Sequence, residues 1–234
     1  MRETAWMPLI GAAISAIGTP DLPAALATLL RAVAPYTYTV IFGYCGTARP
    51  LDLFDDFPAG KRKIFVTDYQ DGPYLLDPFF LAASKPVAAG LYRIRDLAPD
   101  RFYQGEYFRN YYVQTGLAEE IAFFAPLRDG ANVVLSMMRD EKPFSTRELR
   151  ALEDIRPVIE RVFPAAQAAQ AHALRDKLRL CQAIEQQLLQ PADGEADARG
   201  AGGLGALGRR VLLARVGHHV LFDVALDEVP QIGR

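Results

Sequence analysis

Apolar residues change their spacing several times along this chain, and each change predicts a new element. Met7, Ile10, Ile14 and Ile17 recur at steps of three and four, which puts them on one stripe of a helix. Thr19 offers an N-cap with Pro20 at the first helical position. Leu22, Leu26, Leu29, Leu30 and Val33 then form a second amphipathic helix, ended by Pro35. From Tyr36 to Tyr44 the chain alternates and is rich in β-branched and aromatic residues, so a strand is expected. Leu51 and Leu53 predict a short second strand, and Lys63 to Thr67 a further one. Asp77 with Pro78 opens a helix, Gly90 to Arg95 alternates as a strand, and Asp100 to Gln114 carries aromatic residues at helical spacing up to Gly116. Ile121 to Leu127 and Asn132 to Arg139 predict an antiparallel hairpin around residues 128–131. Behind the capping box Ser145 to Glu148, a long apolar stripe runs through Leu149, Leu152, Ile155, Ile159 and Val162.

Helices gathered around one antiparallel sheet of about five strands make this an α+β protein. Tyr38, Val40 and Phe42 are expected to face one side, with Val133, Leu135 and Met137 on a strand of the same sheet. From His172 onward Leu174, Leu178, Cys181, Ile184 and Leu188 repeat at four, three, three and four, a short coiled-coil-like seam. Such a helix either packs on its own domain or joins a second copy. Self-association is preferred, because the helix follows the last strand and has little left to cover. After Gln190 the composition shifts: seven of the 18 glycines fall between Gly194 and Gly217, and no lysine follows Lys177. The expected organisation is a sensor-type domain over 1–164, a linker or dimerisation helix over 165–190, and an irregular Gly/Ala/Arg-rich tail over 191–234.

Composition narrows the function classes. The chain of 234 residues is 50% hydrophobic and 23% charged, which excludes disorder as the dominant state. Its 26 basic residues are cancelled by 28 acidic ones, so a broad electrostatic nucleic-acid surface is not expected. Cys45 and Cys181 cannot make a disulfide framework, and no apolar run is long enough for a membrane span, which places the protein in the cytoplasm without a membrane partner.

Candidate chemistry is sparse. Gly200 to Gly205 matches G-x-G-x-x-G, yet Asp193 to Arg199 before it is no strand, so a glycine-rich linker is the better account. His218 and His219 are adjacent and point apart in a strand, and His172 lies on the seam; no metal site and no cofactor is expected. Neither cysteine has a histidine near it in sequence, and no paired-carboxylate or phosphate-loop pattern stands out. An enzyme is therefore not expected. Aromatic residues are dense from Tyr69 to Phe124. They suit a small-ligand pocket and an ordinary core equally in kind, with core the commoner outcome. Within that region Tyr92 and Tyr111 are the tyrosines singled out for a ligand. Asp77 suits a ligand hydrogen bond as well, although an Asp-Pro pair at a helix start is explained by capping alone.

Four segments carry a resemblance: Arg49-Pro-Leu-Asp-Leu-Phe-Asp-Asp56, Leu76-Asp-Pro-Phe-Phe80, Arg95-Asp-Leu-Ala-Pro-Asp-Arg-Phe102 and Phe108-Arg-Asn-Tyr-Tyr-Val-Gln-Thr-Gly-Leu117. In this order they resemble the N-terminal region of LuxR-type transcriptional regulators, over roughly residues 1 to 190 of this chain. The resemblance implies a GAF-like or autoinducer-domain-like sensor with an antiparallel sheet and helices on both faces. It also implies a homodimer, a small-molecule ligand, and DNA binding through a C-terminal helix-turn-helix. Asp77 matches the aspartate that contacts the ligand in acyl-homoserine-lactone receptors of this class. Ile64 and Asp68 stand where those receptors carry a tryptophan and a tyrosine. Residues 191–234 lack the helix-turn-helix pattern, as though translated out of frame, so this chain by itself is not expected to bind DNA specifically. The alternative reading is a small-molecule-binding or catalytic α+β protein with no DNA-linked role.

Overall fold

The computed structural model describes residues 6–127 and 130–169. Two helices, α1 (Met7–Ser15) and α2 (Leu22–Val33), precede strands β1 (Tyr38–Tyr44) and β2 (Leu51–Asp55). A short turn α3 (Ala59–Arg62) widens into a π-helical segment Lys63–Asp68. Then come a 3-10 turn Pro73–Leu76, α4 (Pro78–Ala83), β3 (Gly90–Arg93) and α5 (Ile94–Leu97). A second 3-10 turn Phe102–Gln104 and a second π segment Phe108–Tyr112 lead into α6 (Val113–Thr115). Strands β4 (Glu119–Pro126) and β5 (Asn132–Arg139) and the long helix α7 (Thr146–Ala169) complete the described chain. The linker seam and the tail, with Leu174, Leu178, Cys181, Ile184 and Leu188, lie outside the described residues.

The five strands form one antiparallel sheet in the order β2-β1-β5-β4-β3. The α+β expectation of an antiparallel sheet with helices on both faces is met. Register decides which side chains share a face: Val40 lies opposite Ser136 and Phe42 opposite Val134, while Ala122 and Phe124 flank the same two residues from β4. Because strand side chains alternate, Val133, Leu135 and Met137 point to the face opposite Val40 and Phe42. On the face of Val133, Leu135 and Met137, Ile41, Ile121 and Phe123 join them in packing against α2 and α7 through Leu26, Leu30, Leu152, Ile155 and Ile159. Each such fully buried aliphatic side chain contributes about 1.5–3 kcal/mol. On the other face Val40, Phe42, Tyr44, Phe124 and Met138 lie under a cap of aromatic residues built by the segments between β2 and β4.

Several local expectations hold in detail. The Phe79 N–H donates to Asp77 Oδ1 at 2.9 Å, so Asp77 caps α4 with Pro78 in its first turn. Ser145 and Glu148 close their box: the Ser145 N–H donates to Glu148 Oε2 at 2.8 Å and the Glu148 N–H to Ser145 Oγ at 3.3 Å. Gly116 ends α6 at φ +69°, where a Cβ would be strained. Cys45 is buried in the aliphatic core.

Others are corrected. Residues 63–67 are π-helical rather than a strand; Phe65, Val66 and Tyr69 fall on one helical face and enter the aromatic core, which a five-residue alternation could not distinguish. The helix expected over Asp100 to Gln114 is broken into a 3-10 turn, a π segment and α6. α2 is preceded by Asp21 at its N-cap with Pro23 in the first turn, not by Thr19 and Pro20; the Thr19 hydroxyl donates back to the Ala16 carbonyl at 2.8 Å. On α1 the buried position is Ala13, with Leu9 and Ile10 packed alongside, whereas Met7 and Ile14 are 66% and 53% exposed. The stripe counted from the methionine is rotated away from the surface that α2 offers.

Candidate functional site

The aromatic face of the sheet is not filled solid. A cavity of about 20 Å³, room for about one water molecule, lies between the sheet and its cap. Its floor is Val40, Phe42 and Tyr44 from β1, Glu120 from β4, and Ser136 and Met138 from β5. Its roof comes from Phe65, Tyr69, Asp77, Tyr107, Tyr111 and Tyr112, with Thr115 and Leu117 at one side. Both π segments serve this roof. The wider turn places Phe65 in one and Tyr111 and Tyr112 in the other toward the sheet, a use of π geometry that recurs at functional sites.

Polar groups converge here in an ordered way. The Tyr69 hydroxyl donates to Asp77 Oδ2 at 2.6 Å, and because its one proton is committed there, the Tyr44 hydroxyl donates to Tyr69 across 3.0 Å. Asp77 thus caps α4 with one oxygen and accepts from a tyrosine relay with the other. Tyr111 donates to the Ile64 carbonyl at 3.1 Å, which ties the two π segments together. Tyr107, only 7% exposed, faces the charges of both Asp77 and Glu120. Glu120 has the Ser136 hydroxyl beside it, and Tyr44, Tyr107 and Tyr111 lie near enough to feel its charge.

Burial governs the electrostatics. It pushes the Glu120 carboxyl up to about 8, with the charge of Asp77 adding to the rise and Ser136 opposing it. Asp77 is pushed up to about 6 by the same desolvation, held back by its bonds from Tyr69 and the α4 backbone. The two titrate as a pair, so at neutral pH the site holds one proton and one negative charge. Tyr44, Tyr69, Tyr107 and Tyr111 are all raised, chiefly by burial, and stay neutral. No lysine, arginine or histidine lines the cavity. Lys61 lies outside it, with Nζ 5.8 Å from the Phe65 ring centroid.

Of the residues singled out from the sequence, Asp77 and Tyr111 meet at this cavity. Tyr92 does not: its hydroxyl donates to the Ala88 carbonyl at 3.1 Å, and its ring stands edge-on to Phe124 with centroids 4.9 Å apart. Ile64 and Asp68 also lie outside the lining. Asp68 pairs with Lys63 at 2.5 Å, and the tyrosine that reaches Asp77 is its neighbour, Tyr69. Glu120 and Tyr44 were not expected here, whereas Tyr69 and Tyr107 belong to the aromatic region expected to wall a pocket or a core, without being singled out within it. The one signal was Glu119-Glu120 inside an apolar strand, where alternation sends one carboxylate to each face. Among the described residues no group of three or more His, Cys, Asp or Glu could hold a metal ion, and no helix is long and apolar enough to cross a membrane.

No protein-family model matches the chain. A curated relative from Aeromonas salmonicida, which carries the name of an HTH-type transcriptional regulator in the exeN 3′ region, is 30% identical over 118 residues. That match takes in 47% of this chain and 60% of the relative, so the chain spans about 60% of the relative's length. Among solved structures, the VqsR LBD domain of Pseudomonas aeruginosa superposes with a TM-score of 0.59 at 23% identity, covering 72% of this chain and 97% of that one. The N-acylhomoserine lactone dependent LuxR family transcription factor CepR2 of Burkholderia cenocepacia has a TM-score of 0.48 at 16% identity, covering 76% of this chain and 99% of that one. The described residues have the fold of the VqsR LBD domain, and the chain is similar over 118 residues to a relative named as an HTH-type transcriptional regulator.

Proposed function

We propose that this chain is a LuxR-family transcriptional regulator whose described domain senses a small molecule in the cytoplasm and does no chemistry on it. The observation that carries the reading is the small cavity under the sheet, where Asp77, Glu120 and five tyrosines converge among apolar side chains. The likeness in fold to the VqsR LBD domain and the match to a transcriptional regulator support it.

The ligand contacts in this reading are Asp77 and Tyr111, with Glu120 and Tyr107 beside them and Tyr92 outside. Sites for ligands of ordinary size occupy roughly 300–1,000 Å³. The cavity has space for about one water molecule, so occupancy by anything larger requires the π segments of the roof to move off the sheet. That movement is the signal: a ligand bound only by the opened state shifts the domain toward it. The output passes through a homodimer joined along Leu174, Leu178, Cys181, Ile184 and Leu188. Direct DNA contact by this chain alone is not part of the proposal.

Ligand-dependent change in the melting temperature of the full chain tests the reading, using a panel of neutral, cationic and anionic amphiphiles that includes acyl-homoserine lactones. At least one compound is expected to shift it in a saturable way. A panel without any saturable binder overturns the sensor function. Aspartate at Leu178 and Ile184 is expected to lower the mass measured by light scattering, and an unmodified chain that is already monomeric overturns the dimer.

A further inference from the structure

Two buried carboxyl groups face this cavity with no cationic side chain beside them. They belong to Asp77 and Glu120, Tyr107 adds a hydroxyl, and no lysine, arginine or histidine is part of the lining. Asp77 is occupied by the Tyr69 hydroxyl and the α4 backbone, whereas Glu120 has the Ser136 hydroxyl beside it and no ion-pair partner among the described residues. Both carboxyl groups are nine-tenths buried or more, at 5% and 7% exposure, so their charge is not relieved by bulk water. The rings of Tyr44, Tyr69, Tyr107 and Tyr111 surround the same space, and aromatic faces attract cations most strongly where water is excluded.

We propose that this cavity selects a small organic cation, an ammonium-bearing amphiphile whose head sits between Asp77 and Glu120 while its apolar stem lies along Phe42, Phe65 and Leu117. The inference rests on the sensor reading and supplies its ligand class. The head group matches the space: an ammonium is about the size of the one water the cavity admits. Its N–H donors meet the Glu120 carboxylate, the Asp77 carboxylate and the Tyr107 oxygen. Its charge replaces the proton that the carboxyl pair otherwise keeps, and that proton leaves to buffer. A neutral amide or alcohol offers fewer donors and leaves the proton in place. A carboxylate would add a second negative charge to the one the pair already holds and is excluded.

The groups facing Glu120 and Asp77 are Tyr44 from β1, Ser136 from β5, Tyr69 beyond the first π segment, and Tyr107 and Tyr111 at the second; none of them carries charge near neutral pH. The pH dependence of binding is therefore that of the carboxyl pair. Lowering the pH refills both carboxyl groups with protons and weakens the cation.

Isothermal titration of the full chain with n-hexylammonium, hexan-1-ol, hexanamide and hexanoate tests this. Hexylammonium is expected to bind at least about tenfold more tightly than the alcohol or the amide. It should release about one proton at neutral pH, read from buffers of different ionisation enthalpy, and weaken about tenfold or more between about pH 8 and about pH 5. Glu120→Gln should remove both the preference and the proton release; the pH series on the unmodified chain gives the same answer if that variant misfolds. Equal or tighter binding of the alcohol or amide, or cation binding without proton release, overturns the ligand class and leaves the sensor reading standing. If none of the four binds while an acyl-homoserine lactone does, the ligand class again fails alone. Absence of any saturable ligand overturns both.

Discussion

Glu119 and Glu120 are neighbours in sequence and face opposite sides of the sheet. Glu119 Oε2 accepts the Phe144 N–H at 2.6 Å, and its Oε1 accepts from Arg93 Nε at 2.9 Å, tying β3 and the start of α7 to β4. Glu120 lines the aromatic cavity instead. One carboxylate is a structural clamp with guanidinium and backbone donors, and the other faces neutral hydroxyls.

Replacing Glu119 with alanine strands the Phe144 N–H and the Arg93 guanidinium in a largely buried place. A loss of about 2–3 kcal/mol is expected in urea denaturation. Glu119→Gln keeps an acceptor and should cost about half as much. Equal stability of the alanine variant and the parent would refute the clamp.

Glu120 makes stability depend on pH in the direction opposite to ordinary acid denaturation. Its folded-state value is raised from 4.5 to about 8, so between those values the folded chain binds more protons than the unfolded chain. Stability from this group is present below the unfolded value and is lost as pH rises through the folded one. Asp77, raised from 3.8 to about 6, acts with the same sign over a lower window. Melting temperature should fall from about pH 5 to about pH 8, with about 2–4 °C for each kcal/mol lost. Glu120→Gln should flatten that slope.

Tyr69→Phe removes the proton that Asp77 Oδ2 accepts and the acceptor that Tyr44 uses. The Tyr69 bond holds the Asp77 carboxyl down, so its titration midpoint should move above about 6 when followed by carboxyl carbon NMR. Stability should drop by about 1–3 kcal/mol. An unchanged or lowered midpoint would show that Tyr69 does not stabilise the ionised aspartate.

Arg139 holds the end of β5 to α7 with both arms of its guanidinium. It donates to Glu148 Oε1 at 2.8 Å and Oε2 at 3.2 Å, reaches the Pro35 carbonyl, and lies 4.1 Å over the Phe144 ring. A lysine cannot reproduce the fork or the stacking, so Arg139→Lys should cost about 1.5–3 kcal/mol. Hydrogen bonding from Arg139 is the main reason that Glu148 is pushed down from 4.5 to about 2. That contribution is present above the unfolded value and lost as pH falls through the folded one, so in the lysine variant the acid loss should begin at higher pH.

The local elements of this protein were largely written in short stretches of chain. Alternation in β1, β4 and β5, the Asp77-Pro78 start of α4, the Ser145 to Glu148 box and the Gly116 stop depend on neighbours a few residues apart, and all hold in the structure. The LuxR-type resemblance carried the fold further than periodicity did. Where local signals balanced, as at Lys63–Asp68, only packing against the sheet decided for a helix, because Phe65, Val66 and Tyr69 gain more from the aromatic core than a five-residue strand could offer.

Asp77 and Tyr111 stood out in the sequence, but nothing local separates a capping aspartate from a ligand contact, or Tyr92 from Tyr69. The register of β1, β5 and β4 places Val40, Ser136 and Ala122 side by side, so Glu120, two residues before Ala122 on the same face, joins β1 and β5 at the cavity floor. Tyr69 reaches Asp77 only because a π turn and a 3-10 turn fold the chain back between them. Alternation fixed that the two glutamates part company. Which of them met a guanidinium and which met a ring of tyrosines depended on what long-range packing laid on each face of the sheet.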